Sequence, residues 1–256
     1  MARQARKLSS TLTYHVIVRG ADRQLLFEET KDYLKFLDFL QLYKEKYEFE
    51  IFAYCLMSNH VHLLLRHPET VTLESIFRSL NSSYASWFNH KYQRTGFLFG
   101  GRYYSEPVES DQYLLTVLKC IHFNPTKAYL ESKPGESYHW TSYYDYEFET
   151  ANLTDISPVM KILENKQAFW ELHNKTPDEE CLEIPISKNR ITDDTIKELL
   201  QVECSCNCVS DFQELPLSLR NKHIIFLKEK GATVKQINRL TGTPRGVIER
   251  IISKRH

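Results

Sequence analysis

Residues 12–19, LTYHVIVR, alternate loosely between apolar and polar positions and are rich in β-formers, which predicts a strand. After Thr30, a candidate cap, Tyr33, Leu34, Phe36, Leu37, Leu40 and Tyr43 recur at helical spacing and predict a helix over 30–47. Two apolar runs follow, Phe49–Met57 (FEIFAYCLM) and His60–Arg66 (HVHLLLR). Only Ser58-Asn59 separates them, the signature of a β-hairpin. Thr72 opens a second helix with Leu73, Ile76, Phe77, Leu80, Tyr84, Trp87 and Phe88 on one face. The stretch GFLFGGRYYSEPVE supplies a fourth strand near 102–108. The order β-α-β-β-α-β predicts an α+β, ferredoxin-like fold: one antiparallel sheet with two helices on one face.

Ser110 then caps a further helix, with Asp111 in its first turn. It runs through YLLTVLKCIHFN and stops at Pro125, because proline disfavours helix at the residue before it. The division predicted is a first domain over 1–145, an acidic linker with a helix or two over 146–190, and an all-α region over 191–256. In the last region Leu219–Lys230 reads as a helix ending at Gly231, and Thr233–Leu240 as a short one closed by Thr241-Gly242. Thr243 caps a third, with Pro244 at its first position. Two helices joined by a tight glycine-containing turn predict a helix-turn-helix within 219–255, its last helix the reading one.

Composition adds limits. With 42% hydrophobic and 26% charged residues, the chain is globular. No apolar run approaches the ~20 residues that span a bilayer, so no membrane partner is expected. The basic start MARQARKLSS is not followed by an apolar run, so no secretory signal is read and a cytoplasmic location is expected. The zero net charge conceals a segregation. Residues 1–144 carry +2, 145–215 carry −10, and 216–256 carry +8 from 10 basic and 2 acidic side chains. A basic end on a neutral chain points to nucleic acid, here duplex DNA, with Arg245, Arg250, Lys254 and Arg255 as candidate contacts. The six cysteines are expected to be reduced thiols. Cys204, Cys206 and Cys208 are spaced C-x-C-x-C, tighter than zinc ligands usually are.

The sharpest local signal is Asn59-His60-Val61-His62. Side chains two apart on a strand share a face, so His60 and His62 present two imidazoles side by side, a set that suits a divalent metal. Alone, an H-x-H pair is weak evidence. On the helix before Pro125, Tyr113, Val117, Cys120 and Asn124 share a face, with Cys120 and Asn124 one turn apart. The plain readings are a buried small Cys120 and a helix-terminating Asn124.

Taken together, YHVIVRGADRQLLF, AYCLMSNHVHLLL and GFLFGGRYYSEPVESDQYLLTVLKCIHFNPTKA resemble the IS200-like transposases, in particular the REP-associated tyrosine transposase branch. The resemblance covers about residues 8–145. It implies an HUH endonuclease fold, in which His60 and His62 hold Mg2+ or Mn2+ and Asn124 completes the metal shell. It further implies single-stranded or hairpin DNA as partner, cleaved by a helix tyrosine through a covalent phosphotyrosine link. A monomer and a homodimer both occur in the family. The basic end resembles the accessory DNA-binding region of longer members.

One departure bears directly on activity. Where the branch reads Tyr-Ile-His-x-Asn-Pro, this chain reads Cys120-Ile121-His122-Phe123-Asn124-Pro125. A thiol is shorter than a phenol and mostly protonated at neutral pH. Two expectations stand side by side: a metal-dependent single-strand nuclease and strand transferase working with Cys120 in the nucleophile's place, or a non-cleaving hairpin-DNA-binding or regulatory protein.

Overall fold

The computed structural model describes residues 7–150, 153–177, 181–182, 191 and 193–253. The chain divides into two compact units, Met1–Leu26 with Lys31–Pro185, and Phe27–Thr30 with Ile186–His256. Among the described residues no helix is long and apolar enough to cross a membrane.

The first unit follows the hydrophobic pattern closely. It contains β1 (Thr13–Arg19), α1 (Thr30–Tyr47), β2 (Glu50–Met57), β3 (His60–Arg66), α2 (Leu73–Lys91) and β4 (Tyr104–Pro107). Thr72 caps α2, its side chain accepting from the Ser75 N–H. The four strands form one antiparallel sheet in the order β2-β3-β1-β4, the ferredoxin-like arrangement.

Register decides which side chains share a face. Ile17 lies opposite His62, which lies opposite Cys55, while His15 lies opposite Leu64 and Glu106. The alternate positions Val16, Val18, Val61, Leu63 and Leu65 point the other way and are all buried. The two helices of the βαβ units pack against each other. Phe36 meets Tyr84 edge-to-face at 5.1 Å, and Tyr43 and Tyr47 hydrogen-bond Ser83 and Ser79.

The histidine face is covered by later elements: α3 (Asp111–His122), α4 (Asn124–Lys127), α5 (Tyr143–Glu147), α6 (Ile156–Leu163) and α7 (Lys166–His173). Leu114, Val117, Leu118 and Ile121 of α3 pack with Cys55, Met57 and Leu64 of the sheet and with Val159, Leu163 and Phe169 of α6 and α7. Each such apolar side chain contributes about 1.5–3 kcal/mol by leaving water. The α3 helix ends at His122, and Pro125 sits in the first turn of the short α4.

The region expected to be an acidic linker is, as far as Cys181, part of this core. The reason is the outer edge of β2, whose backbone groups need partners. Leu56 N–H donates to Trp140 C=O, Ser142 N–H to Tyr54 C=O and Ile51 N–H to the Asp155 carboxylate. The chain after α4 therefore runs along the sheet before α6 and α7 return over α3.

That return overturns a further expectation. Cys120 and Cys181 are joined in a disulfide, with Cα atoms 6.5 Å apart at a sequence separation of 61. Reduced thiols were expected throughout, because nothing in the local pattern at 181 shows that the segment folds back onto α3. Cys55, Cys204, Cys206 and Cys208 are free.

In the second unit, α8 (Asp193–Cys204), α9 (Val209–Glu214), α10 (Leu217–Glu229), α11 (Val234–Thr241) and α12 (Arg245–Ser253) enclose Ile196, Leu200, Phe212, Ile224, Leu227, Ile237 and Ile248. Cys204 and Cys206 are buried in this cluster, and the Cys208 thiol meets the Asp211 carboxylate at the start of α9. Thr233 and Gln236 form a reciprocal capping box at the start of α11, and Gly242 ends that helix in the left-handed region at φ 69°.

Candidate functional site: a histidine pair under a helix end

Ser58-Asn59 turns the hairpin so that β3 begins on His60. The period-two pleat then puts His60 and His62 on the same face, with ring centroids 5.0 Å apart. Each ring has its Nδ1 engaged. His60 Nδ1 meets Asn59 Oδ1 at 2.6 Å, and since an amide oxygen can only accept, Nδ1 carries the proton. His62 Nδ1 meets Nε2 of His15 at 3.1 Å. Nε2 of both rings is left uncommitted by these bonds. This is the arrangement of metal-binding histidines, whose second nitrogen is held by an outer partner that fixes tautomer and orientation.

The rings are also uncharged, as a ligand must be. Burial pulls His60 down to about 4. Burial first, then the charge of Lys127, brings His15 down to about 3. Burial also takes His62 well below the ordinary range, helped by His60, His15 and Lys127.

The charge of Lys127 on α4 acts on both His15 and His62, and α4 packs against β2, the strand beside β3. Asn124 lies three residues earlier on that helix, on the side it shares with Lys127. Its Nδ2 donates back to the Cys120 and Ile121 carbonyls at 3.0 and 3.3 Å, which leaves Oδ1 as an uncommitted oxygen donor. Among the described residues no group of three or more His, Cys, Asp or Glu side chains could hold a metal. Two neutral imidazoles, each with a free Nε2, are donors of the kind a divalent cation takes, and the Asn124 amide oxygen is a further donor of suitable chemistry.

Cys120 sits one turn before Asn124, but its sulfur is bonded to Cys181 and its side chain is buried in the α3 cluster. Tyr113 packs against the same cluster. In the second unit, Arg245 is exposed on α12 and pairs with Glu249 at 2.7 Å, and Arg250 is exposed on the same helix. Lys254 and Arg255 lie outside the described residues.

His15, Lys127 and Cys181 escaped the reading of the sequence. His15 had a usable signal: it sits at the alternation phase of Ile17 and Arg19, the face that register later shared with His60 and His62. Cys181 had none.

The family described as Transposase IS200 like matches residues 8–124. A Haemophilus influenzae protein named as a REP-associated tyrosine transposase is 30% identical over 135 residues, 45% of this chain and 76% of the relative. Among solved structures, a REP-associated tyrosine transposase bound to a REP hairpin superposes with a TM-score of 0.51 at 17% identity. It covers 61% of this chain and 96% of that one, a likeness of fold.

Proposed function

Because the chain belongs to the IS200-like transposase family, we infer that it binds hairpin or single-stranded DNA at the site made by His60, His62 and Asn124. In the oxidised form, with Cys120 tied to Cys181, it holds that DNA without cutting it. The observation that carries the reading is the pair of neutral imidazoles, His62 buried and His60 half-buried, with both Nδ1 atoms engaged. The named hairpin ligand of the structural relative supports the choice of DNA.

A divalent cation such as Mg2+ or Mn2+, when bound, would neutralise and polarise a phosphodiester. The chain's own groups do the rest. His15 and Asn59 orient the two imidazoles, and Lys127 adds positive charge that acts on His62 and His15. Arg19, placed opposite His60 and stacked over Tyr104 at 5.1 Å, adds more at the same sheet end. Cleavage would need a nucleophile at position 120, and a disulfide sulfur has no free thiolate to offer. The exposed arginines of α12, in a segment of net charge +8, are proposed to hold the phosphates of duplex DNA.

The test is incubation of labelled hairpin DNA with the full chain and Mn2+, read on native and denaturing gels. Untreated protein is expected to shift DNA on the native gel and to leave no adduct on the denaturing one. Cys120→Tyr, which removes the disulfide and restores the family's phenol, is expected to give a covalent adduct. A strong adduct with the untreated wild type, lost in Cys120→Ala, would instead make the cysteine a working nucleophile.

A further inference from the structure

The bond between His62 Nδ1 and His15 Nε2, 3.1 Å long, steadies the His62 ring but does not choose its tautomer. A neutral imidazole has one donor and one acceptor. In one arrangement His62 Nδ1 donates, His62 Nε2 is bare, and His15 carries its own proton on Nδ1. In the other, His15 Nε2 donates, His62 Nε2 is protonated, and His15 Nδ1 is a bare acceptor. Only the first leaves His62 able to hold a cation. The choice falls to whatever meets His15 Nδ1: an acceptor there selects the first arrangement, a donor the second. His15 Nδ1 is buried and has no hydrogen-bond partner.

The strand register supplies an acceptor. Glu106 on β4 lies directly opposite His15 on β1. Opposite residues of an antiparallel pair share a face, with Cβ atoms about 4.5–5.5 Å apart, within reach of a glutamate side chain. Glu106 therefore stands on the face of the sheet that carries His15 and His62. β4 is an edge strand, where a glutamate ordinarily turns its side chain to water. Here the residue is half-buried, and its Oε2 is buried without a hydrogen-bond partner. Ser105 Oγ is also buried and unpartnered, but Ser105 lies opposite Val16 and so on the other face. Lys127, whose charge acts on His15 and His62, has only donors to offer.

Two orphaned atoms thus sit on paired residues, and in the cation-binding arrangement one is a donor and the other an acceptor. We propose that Glu106 is a positioning residue for the histidine site: its Oε2 accepts from His15 Nδ1, directly or through one water, and so keeps His62 protonated at Nδ1 and bare at Nε2. Glu106 acts through His15 and is not itself a ligand. The pairing also removes two unmet buried groups, each of which costs about 1–3 kcal/mol when left alone. The inference rests on the cation-binding reading of the histidine pair above and adds to it the residue that sets the tautomer of one ligand.

The tautomer is read in the full chain without metal, from the ring nitrogen shifts of isotope-labelled histidine in the NMR spectrum. Wild-type His62 is expected to show a protonated Nδ1 and a bare Nε2. Glu106→Leu, which keeps bulk on β4 and removes the acceptor, is expected to bring in the Nε2-protonated form. It should also weaken Mn2+ binding in calorimetry about tenfold, as loss of an outer partner does. Glu106→Gln retains an acceptor oxygen and is expected to keep the wild-type tautomer and an affinity close to wild type. Added to His15→Phe, Glu106→Leu should cost nothing further, because both changes act through one ring. A wild-type His62 protonated at Nε2 overturns the proposal before any variant is made. So does a Glu106→Leu chain with tautomer and affinity unchanged. Control of the tautomer by Glu106 in a chain that binds no Mn2+ would keep this inference and reject the cation reading. Mn2+ binding that needs His60 and His62 but ignores Glu106 would do the reverse.

Discussion

His173 donates its Nδ1 proton to the Phe169 carbonyl at 2.8 Å, so its Nε2 must accept. That nitrogen faces His122 Nδ1 at 2.9 Å, which therefore carries a proton, and His122 Nε2 accepts from the Ser142 hydroxyl at 2.9 Å. Ser142 Oγ in turn accepts from Tyr54 N–H at 2.9 Å. Each member has one role, and each ring is neutral. The chain of bonds fastens the end of α3, and with it Asn124, to the edge of β2. It also sets a pH dependence. Burial holds His173 at about 4 in the folded state, against about 6.5 unfolded. Between those values the unfolded chain binds the extra proton, so the contribution is fully present above about pH 6.5 and is lost as pH falls toward 4. Urea unfolding followed by tryptophan fluorescence reports this unit, since Trp87, Trp140 and Trp170 all lie in it. Stability is expected to drop by up to about 1.4 kcal/mol per pH unit for this histidine across that window. His173→Gln, which keeps an acceptor for His122, is expected to remove this histidine's share of the slope and leave that of the other buried histidines. At the same scale the sequence was informative where one residue's role depends on near neighbours. His60, His62 and Asn124 are spaced by strand and helix periods that can be read along the chain. His15 required the register of β1 against β3, a long-range fact.

At the scale of elements, the strands and helices of residues 13–122 were legible because each carries its own period and cap. Thr72 and Ser110 cap α2 and α3 as their side chains allow. The elements after 140 were less legible, because what fixes them is the unpaired edge of β2 and the exposed side of α3. Acidic composition and prolines describe how α6 and α7 meet water, and Val159, Leu163 and Phe169 decide where they pack. The disulfide between α3 and the segment after α7 belongs to the same tertiary logic. Alkylation of denatured protein without reductant is expected to label four of the six cysteines, and with reductant all six. Peptide mapping should find Cys120 and Cys181 as the protected pair. Six labels without reductant would show that Cys120 is a thiol and that its availability for chemistry is unrestricted.

For the whole molecule, charge segregation and the histidine face support two separate proposals for meeting DNA. The α12 arginines are exposed and are proposed to attract phosphates, an attraction that weakens with salt. Replacing Arg245 and Arg250 together by alanine is expected to reduce the slope of log affinity for duplex DNA against log salt by about 2, at ~0.9 per lost phosphate contact. An unchanged slope would remove those two side chains from the interface. The histidine site is proposed to work instead through a cation held by neutral ligands. Its central claim is tested most directly by calorimetric titration of the full chain with Mn2+. The wild type is expected to bind one ion through the His60 and His62 imidazoles. His60→Ala with His62→Ala should abolish that binding, and His15→Phe should weaken it about 10- to 100-fold by releasing the His62 ring. Binding that survives loss of both histidines at wild-type affinity would contradict the account.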